Sequence, residues 1–333
     1  MRIFPIAALL LATRAFAAPT VEVLTFKDGA VKHQVCAVQG APQKHFFFMG
    51  YQRVDSDGAP KSYHPGYQCD PADGVGWKGK PFSCGYLRKQ ATCEKHAPSC
   101  SWTGKACKGK LASGQCTHTP NGDAKALDYL ANAGAPGNFY GVAKDPHSTS
   151  MNGDEHAPCI QTASDPAPGF YVSGTALVGP HKGACDPAQF IDSSTINYVA
   201  LPSGALGVHK GDIVVVGNWK TGKVAFAIYA DAGGKPNGMG EGSVALAHAT
   251  GAPANPKGSK EPDAHAAYLV FPGSAKNIGL APKITLWPVS QKHIDAEGKK
   301  LLDAWGGEAQ FRALSEKLPR DNPQKTAARP CGN

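Results

Sequence analysis

Short apolar runs recur along most of the chain, nearly all of them bounded by Gly, Pro, Asn or Asp. Runs of this length with such boundaries predict β-strands rather than helices. Val21 to Phe26 reads as a first strand, and Phe46 to Met49 as a second apolar stretch leading into Gly50-Tyr51-Gln52. The clearest unit spans Asp212 to Asp231. There Ile213-Val214-Val215-Val216, a Lys220-Thr221-Gly222-Lys223 turn and the run Val224 to Asp231 predict a β-hairpin. Further strands are expected at Asn138 to Val142, Gly169 to Ser173, Tyr198 to Pro202, Ala267 to Phe271 and Ile284 to Trp287. A helical turn is expected at Leu127 to Leu130, and a short helix from Val244 to Ala249, closed by Gly251. After Pro288 the period changes. Ile294, Leu301, Leu302 and Trp305, then Phe311, Leu314 and Leu318, fall at helical spacing. They predict two amphipathic helices parted by Gly306-Gly307, serving as packing or capping elements.

The extreme N-terminus follows another rule. Arg2, the apolar run Ile3 to Ala12 and Ala15-Phe16-Ala17 before Ala18 have the order of a secretory signal. Cleavage is expected after Ala17, which assigns residues 1–17 to the signal. No other stretch approaches the roughly 18 consecutive apolar residues of a membrane helix.

Composition sharpens the picture. The 333 residues contain no internal repeat and suit one large domain or two unequal ones, and collagen-like and coiled-coil classes are excluded. With 39 Gly and 27 Pro, turns must be frequent and loops long, which favours a β-rich fold. Removing Arg2 and Arg14 lowers Lys+Arg from 34 to 32 against 26 acids, so the mature chain is mildly basic at +6. All ten cysteines lie beyond the cleavage point, and an even count in a secreted chain favours disulfides. Zinc is the competing reading, and no C-x-x-C supports it. Six cysteines crowd between Cys69 and Cys116, in a Lys- and Gly-rich stretch poor in aliphatics that needs cross-links to hold together. The expected architecture is therefore mainly β. A small β-barrel core, with a six-stranded double-psi type as its candidate form, occupies residues 18–288. A disulfide-rich insertion sits at about 69–119, and a helical extension follows over 289–333.

Alternation along the second hairpin arm places Val224, Phe226, Ile228 and Ala230 on one face and Ala225, Ala227, Tyr229 and Asp231 on the other. The second face, with small residues, one aromatic and a terminal carboxylate, has the profile of a groove floor. A Gly-rich loop then leads to Glu241, so Asp231 and Glu241 stand at opposite ends of one loop. Two carboxylates across a groove are what glycosidic hydrolysis needs, one to protonate the leaving oxygen and one to activate water. The plainer roles of such residues are turn former and helix-dipole partner.

The stretch GDIVVVGNWKTGKVAFAIYADAGGKPNGMGEGSVALA, Gly211 to Ala247, resembles the central motif of glycoside hydrolase family 75, the fungal-type chitosanases and their bacterial relatives. Blocks at Asp55 to Pro65, Leu127 to Gly134, Asp165 to Leu177, Phe190 to Pro202 and Ala267 to Ser274 are similar to those around that motif. The likeness spans roughly Met49 to Ser274 and omits the Cys-rich insertion and the helical tail. It implies a secreted, endo-acting, inverting hydrolase of chitosan whose catalytic carboxylates are Asp231 and Glu241. Glu241 is taken here as the general acid and Asp231 as the general base, a split that the sequence leaves open. Tyr229, Asp192, Asp165 and Ser243 are the expected substrate contacts. A basic chain repels a polycation unless acids cluster at the cleft, and Asp165, Asp192, Asp231 and Glu241 are the candidates. The alternatives are hydrolysis of peptidoglycan glycan, or a non-catalytic carbohydrate-binding or cell-wall-contacting protein.

Other motifs add little. Asp55-Ser56-Asp57-Gly58 opens like a calcium loop, but Gly66 stands where the closing Glu belongs, so it reads as a turn of the fold that can line the cleft. Ser243 is not in a G-x-S-x-G elbow, and the twelve His include no H-E-x-x-H. His64, His156 and His248 read as surface or packing residues. Tyr140, Tyr171, Trp219 and Tyr229 can stack on sugars but are expected in the core. No cofactor and no metal are expected. The expected partner is a polysaccharide, not nucleic acid or membrane, bound by a monomer.

Overall fold

The computed structural model describes residues 19–28, 31–64, 84, 90–94, 97–109, 126–128, 141–147, 157–180, 183–233, 239–256, 265–318 and 331. The signal segment, residues 138–140 and residues 129–130 of the predicted turn lie outside these. The protein is mainly β. Its nine principal strands are β1 (Val21–Asp28), β2 (Val31–Val38), β3 (Phe46–Tyr51), β4 (Arg53–Asp55), β5 (Tyr198–Leu201), β6 (Ile213–Asn218), β7 (Lys223–Ala232), β8 (Glu241–Ser243) and β9 (His265–Phe271). They form one ladder in the order β1-β2-β3-β9-β6-β7-β5-β8-β4. The predicted hairpin is β6 and β7, antiparallel with Ile213 opposite Ile228. Its turn is set by Asn218, whose side-chain oxygen accepts the Lys220 and Thr221 N–H groups.

Both faces of the central strands are buried. Ile213 and Val215 join one cluster while Val214 and Val216 join another, so the run reads as continuously apolar instead of alternating. The Val214 cluster gathers Val35, Phe46, Phe48, Leu201, Tyr229 and Tyr268 from across the ladder. Phe48 stacks on Tyr268 with ring centroids 5.0 Å apart. Among the described residues its buried members outside the strands are Val208, Met239 and Leu246. A single cluster drawing on β2, β3, β9, β6, β7 and β5 at once requires the sheet to roll around it, which gives a barrel-like core. Among the described residues the end strands β1 and β4 do not pair with each other.

Of the helices, α1 (Val244–Thr250) lends Leu246 to the Val214 cluster, while α2 (Gln291–Trp305) and α3 (Gly307–Ser315) cover the opposite face. Ile294, Leu301, Leu302, Trp305, Phe311, Leu314 and Leu318, the positions picked out by the helical period, all join the cluster of Ile213, Val215 and Ile228. Each large side chain buried this way contributes about 1.5–3 kcal/mol. Gly298 lets α2 approach closely, because a Cβ there would stand 2.5 Å from the Phe226 ring. The Trp219 indole N–H donates to Ser315 Oγ at 2.8 Å and meets Phe311 edge-on. The C-terminal extension is thus part of the main core.

Two predicted strands do not form. Around Gly169 to Ser173 only single bridges occur, Ile160 to Tyr171 and Val142 to Ser173. The buried Gln161 amide organises that segment, donating to the Pro60 and Tyr171 carbonyls and accepting the Ala167 N–H. Ile284 to Trp287 lies between Pro282 and Pro288, which lack N–H donors, and stays irregular. Trp287 instead donates its indole N–H to the Ala188 carbonyl at 2.8 Å.

Four disulfides are present: Cys36–Cys331, Cys84–Cys100, Cys93–Cys107 and Cys159–Cys185. Cys69 and Cys116 lie outside the described residues, and no described cysteine is free. Among the described residues of the insertion, four half-cystines form a buried cluster with Trp102 packed against it. Among the described residues no helix is long and apolar enough to cross a membrane.

Candidate active site

The two predicted carboxylates are positioned by β5. Strand β7 runs parallel to β5 with Tyr229 opposite Val199 and Asp231 opposite Ala200, leaving Ala230 as an extra residue in a bulge. On the other side of β5, Glu241 of β8 is also opposite Ala200. Asp231 and Glu241 are thus register neighbours of the same small residue, one strand apart on each side. Two interstrand spacings put their Cα atoms about 9–10 Å apart.

The bulge corrects the alternation argument. Val199 and Tyr229 point into the Val214 cluster, whereas Ala200 faces the other way. Unbroken alternation would send Asp231 inward with Tyr229. The extra residue turns it outward to the side of Ala200 and Glu241, the re-aiming that bulges produce near functional sites. Two backbone donors then hold Asp231: its Oδ1 accepts the Ala232 N–H at 2.7 Å and the Ala176 N–H at 3.1 Å.

Two further carboxylates come from β4 and the turn behind it. Strand β4 runs parallel to β8, with Asp55 opposite Ser243 and Arg53 opposite Glu241. Carboxyl oxygens of Asp55, Asp57 and Asp231 lie within 4.8 Å of one another, all three residues half-buried. Asp55 Oδ1 accepts the Asp57 N–H at 2.8 Å, and Asp57 Oδ1 accepts the Tyr63 hydroxyl at 2.6 Å. The Tyr198 hydroxyl donates to the Asp57 carbonyl at 2.8 Å. Gly58, in the left-handed region at φ +85°, sends its N–H to Ser173 Oγ at 2.9 Å and completes the turn.

Burial and crowding set the protonation states. Glu241 is pushed up to about 8, first by burial and then by the charge of Asp55, with Arg53 opposing. Burial and then Asp55 hold Asp231 well above the ordinary carboxylate range, against the pull of its two N–H partners. Asp57 is raised well above that range by burial, then by Asp55 and Asp231. Asp55 is raised by burial, opposed chiefly by the Asp57 N–H. Burial likewise raises Tyr63 and Tyr198, which keeps their hydroxyls neutral donors.

The other expected contacts lie elsewhere. Tyr229, 2% exposed, packs inside the barrel-like core and forms no groove floor. Ser243 is fully buried, its oxygen accepting the Leu246 N–H at the start of α1 and the Tyr198 N–H. It is a cap and strand tie, with no surface left for a sugar. Asp165 and Asp192 turn on themselves: Asp165 accepts from Thr162 N–H and Oγ1, and Asp192 from Ser194 N–H and Oγ. Neither contributes to the raised state of Asp231 or Glu241. The acidity near the pair comes from Asp55, Asp57 and the buried Asp128. Asp55 and Asp57 were legible only as a turn able to line the cleft, because D-S-D-G reads locally as a turn, and the parallel pairing of β4 with β8 carries it to Glu241.

No protein-family model matches the chain, and no curated protein matches it.

The arrangement can hold a neutral Glu241 about two strand spacings from a carboxylate cluster that carries negative charge.

Proposed function

We propose that this protein is a secreted, endo-acting glycoside hydrolase that cleaves β-1,4 bonds of chitosan with inversion. The observation that carries the reading is the shared register of Asp231 and Glu241 on Ala200. Inverting enzymes keep their carboxyl groups roughly 6.5–9.5 Å apart, against about 5–5.5 Å in retaining ones. The family resemblance supports the wider class, and the shared register leaves room between the two side chains for it.

Glu241, protonated at neutral pH, donates its proton to the leaving glycosidic oxygen. Asp231 takes a proton from water on the opposite face of the sugar ring, and the hydroxide attacks the anomeric carbon. Tyr63 and Tyr198 hold the Asp57 turn in place beneath the cluster. The acids gathered here support a cationic substrate despite the basic whole chain, since local charge governs capture at a cleft. The family resemblance and the disulfides support secretion.

A reducing-sugar assay on chitosan, chitin oligomers and peptidoglycan tests the proposal. Chitosan is the expected substrate, and Asp231→Asn and Glu241→Gln should each lower turnover at least about 100-fold. Full activity in both variants, or no cleavage of any polymer, would overturn it.

A further inference from the structure

The hydrolase reading leaves Asp55 without a role, although it is the charge that most affects both Asp231 and Glu241 after burial. It lies outside the Asp231–Glu241 pair and reaches the site on another strand. Asp55 and Asp231 each commit one oxygen to the backbone. Asp55 Oδ1 takes the Asp57 N–H, and Asp231 Oδ1 takes the Ala176 and Ala232 N–H groups. The remaining oxygens belong to a group confined within 4.8 Å. Carboxylates this close cannot all be ionised in a partly desolvated site, so protons stay among them.

Asp57 is the most enclosed of the three. Gly141, at φ +68°, lies over it so closely that a Cβ there would overlap both of its carboxyl oxygens. Its Oδ1 is already engaged by Tyr63. These contacts make Asp57 a structural member of the turn and leave Asp55 facing Asp231.

We propose that Asp55 is a positioning residue for the reaction, sharing one proton with Asp231 so that the two act as a single base carrying one negative charge. The inference rests on the hydrolase reading above and deepens it. In the reaction the pair, holding one proton and one negative charge, takes a second proton from the attacking water and becomes neutral. Glu241 loses its proton to the leaving oxygen and becomes a carboxylate. The hydroxide forms the new bond to the anomeric carbon as the glycosidic bond breaks. The pair then returns its extra proton to solvent, and Glu241 regains one. Asp55 acts through Asp231 throughout: the shared proton holds the pair at one negative charge and fixes which oxygen faces water.

The test is a carbon NMR titration of the Asp231 carboxyl in the full mature chain without substrate, assigned by difference with Asp231→Asn. The wild type should show two linked steps. In Asp55→Asn, which preserves an acceptor for the Asp57 N–H, a single step should remain, lying between the two of the wild type. The acidic limb of the kcat/KM profile, set in the wild type by the lower step, should move upward, with kcat down at least about tenfold and KM within about twofold. Asp55→Glu should restore the two-step titration and return the profile towards wild type. An Asp231 titration identical in wild type and Asp55→Asn would overturn the proposal. So would a wild-type titration displaced by EDTA or added calcium, since a cation and not a proton would then join the carboxylates. A displaced titration in a protein that cleaves no polymer would leave the shared proton standing and remove only the hydrolase reading.

Discussion

Glu241→Gln separates a catalytic cost from a structural one, because the two move in opposite directions. The Glu241 carboxyl is pushed from 4.5 to about 8 by burial and by Asp55. An acid raised on folding holds its proton where the unfolded chain has released it, so it stabilises least at high pH. Its stability is fully present below pH 4.5 and is lost as pH rises towards 8. That gap, at about 1.36 kcal/mol for each pH unit, sets a ceiling of about 5 kcal/mol. Gln cannot ionise and carries no such loss. Urea unfolding with disulfides intact should therefore give near-equal stabilities for the two proteins at pH 4. By pH 8 the variant should be the more stable by several kcal/mol, up to about 5. The same variant should be at least about 100-fold slower on chitosan. A stability difference that does not change with pH, or a variant weaker than wild type at pH 8, would refute the reasoning that Glu241 is held protonated by its surroundings.

Other outcomes are equally open to measurement. The first product from a β-linked polymer should be the α-anomer, and proton NMR showing the β-anomer first would require a covalent intermediate. Ser243→Ala should cost about 2–4 kcal/mol, from the lost cap of α1 and the orphaned Tyr198 N–H, while turnover of the folded fraction stays within about twofold. A selective rise in KM would return Ser243 to the substrate. Asp212→Ala should cost at least about 3 kcal/mol, because it strips the His209, Gly273 and Ala275 N–H groups of their shared acceptor; unchanged unfolding curves would contradict this. Peptide mapping without reductant should recover Cys36–Cys331, Cys84–Cys100, Cys93–Cys107 and Cys159–Cys185, and alkylation at any of these eight would contradict the pairing.

Local periodicity carried most of the fold. The β6–β7 hairpin, α1 with its Gly251 cap, and the two C-terminal helices follow from spacing alone, since the residues at those spacings are the ones that pack. The segments at Gly169 to Ser173 and Ile284 to Trp287 were misread because apolar content was taken for a ladder. Side-chain hydrogen bonds and prolines decide those segments instead. At the site, Asp231 and Glu241 were legible as residues, but not the face that Asp231 takes. A bulge is a property of pairing between β7 and β5, and neither strand encodes it by itself. Asp55 and Asp57 failed for a related reason: their short-range pattern is satisfied by a turn, and their function depends on a partner strand far along the chain.

The sharing of Ala200 by two flanking strands makes the distance between acid and base a matter of lattice. Side-chain exchange, Asp for Glu or the reverse, adjusts it by about one methylene. Larger change demands either a register slip, which at one residue flips the whole strand to its other face, or another bulge like that at Ala230. The stereochemical outcome of the proposed reaction is therefore buffered against point mutation. Evolution working on loops can reshape what the cleft accepts, while the route by which water arrives is inherited with the sheet.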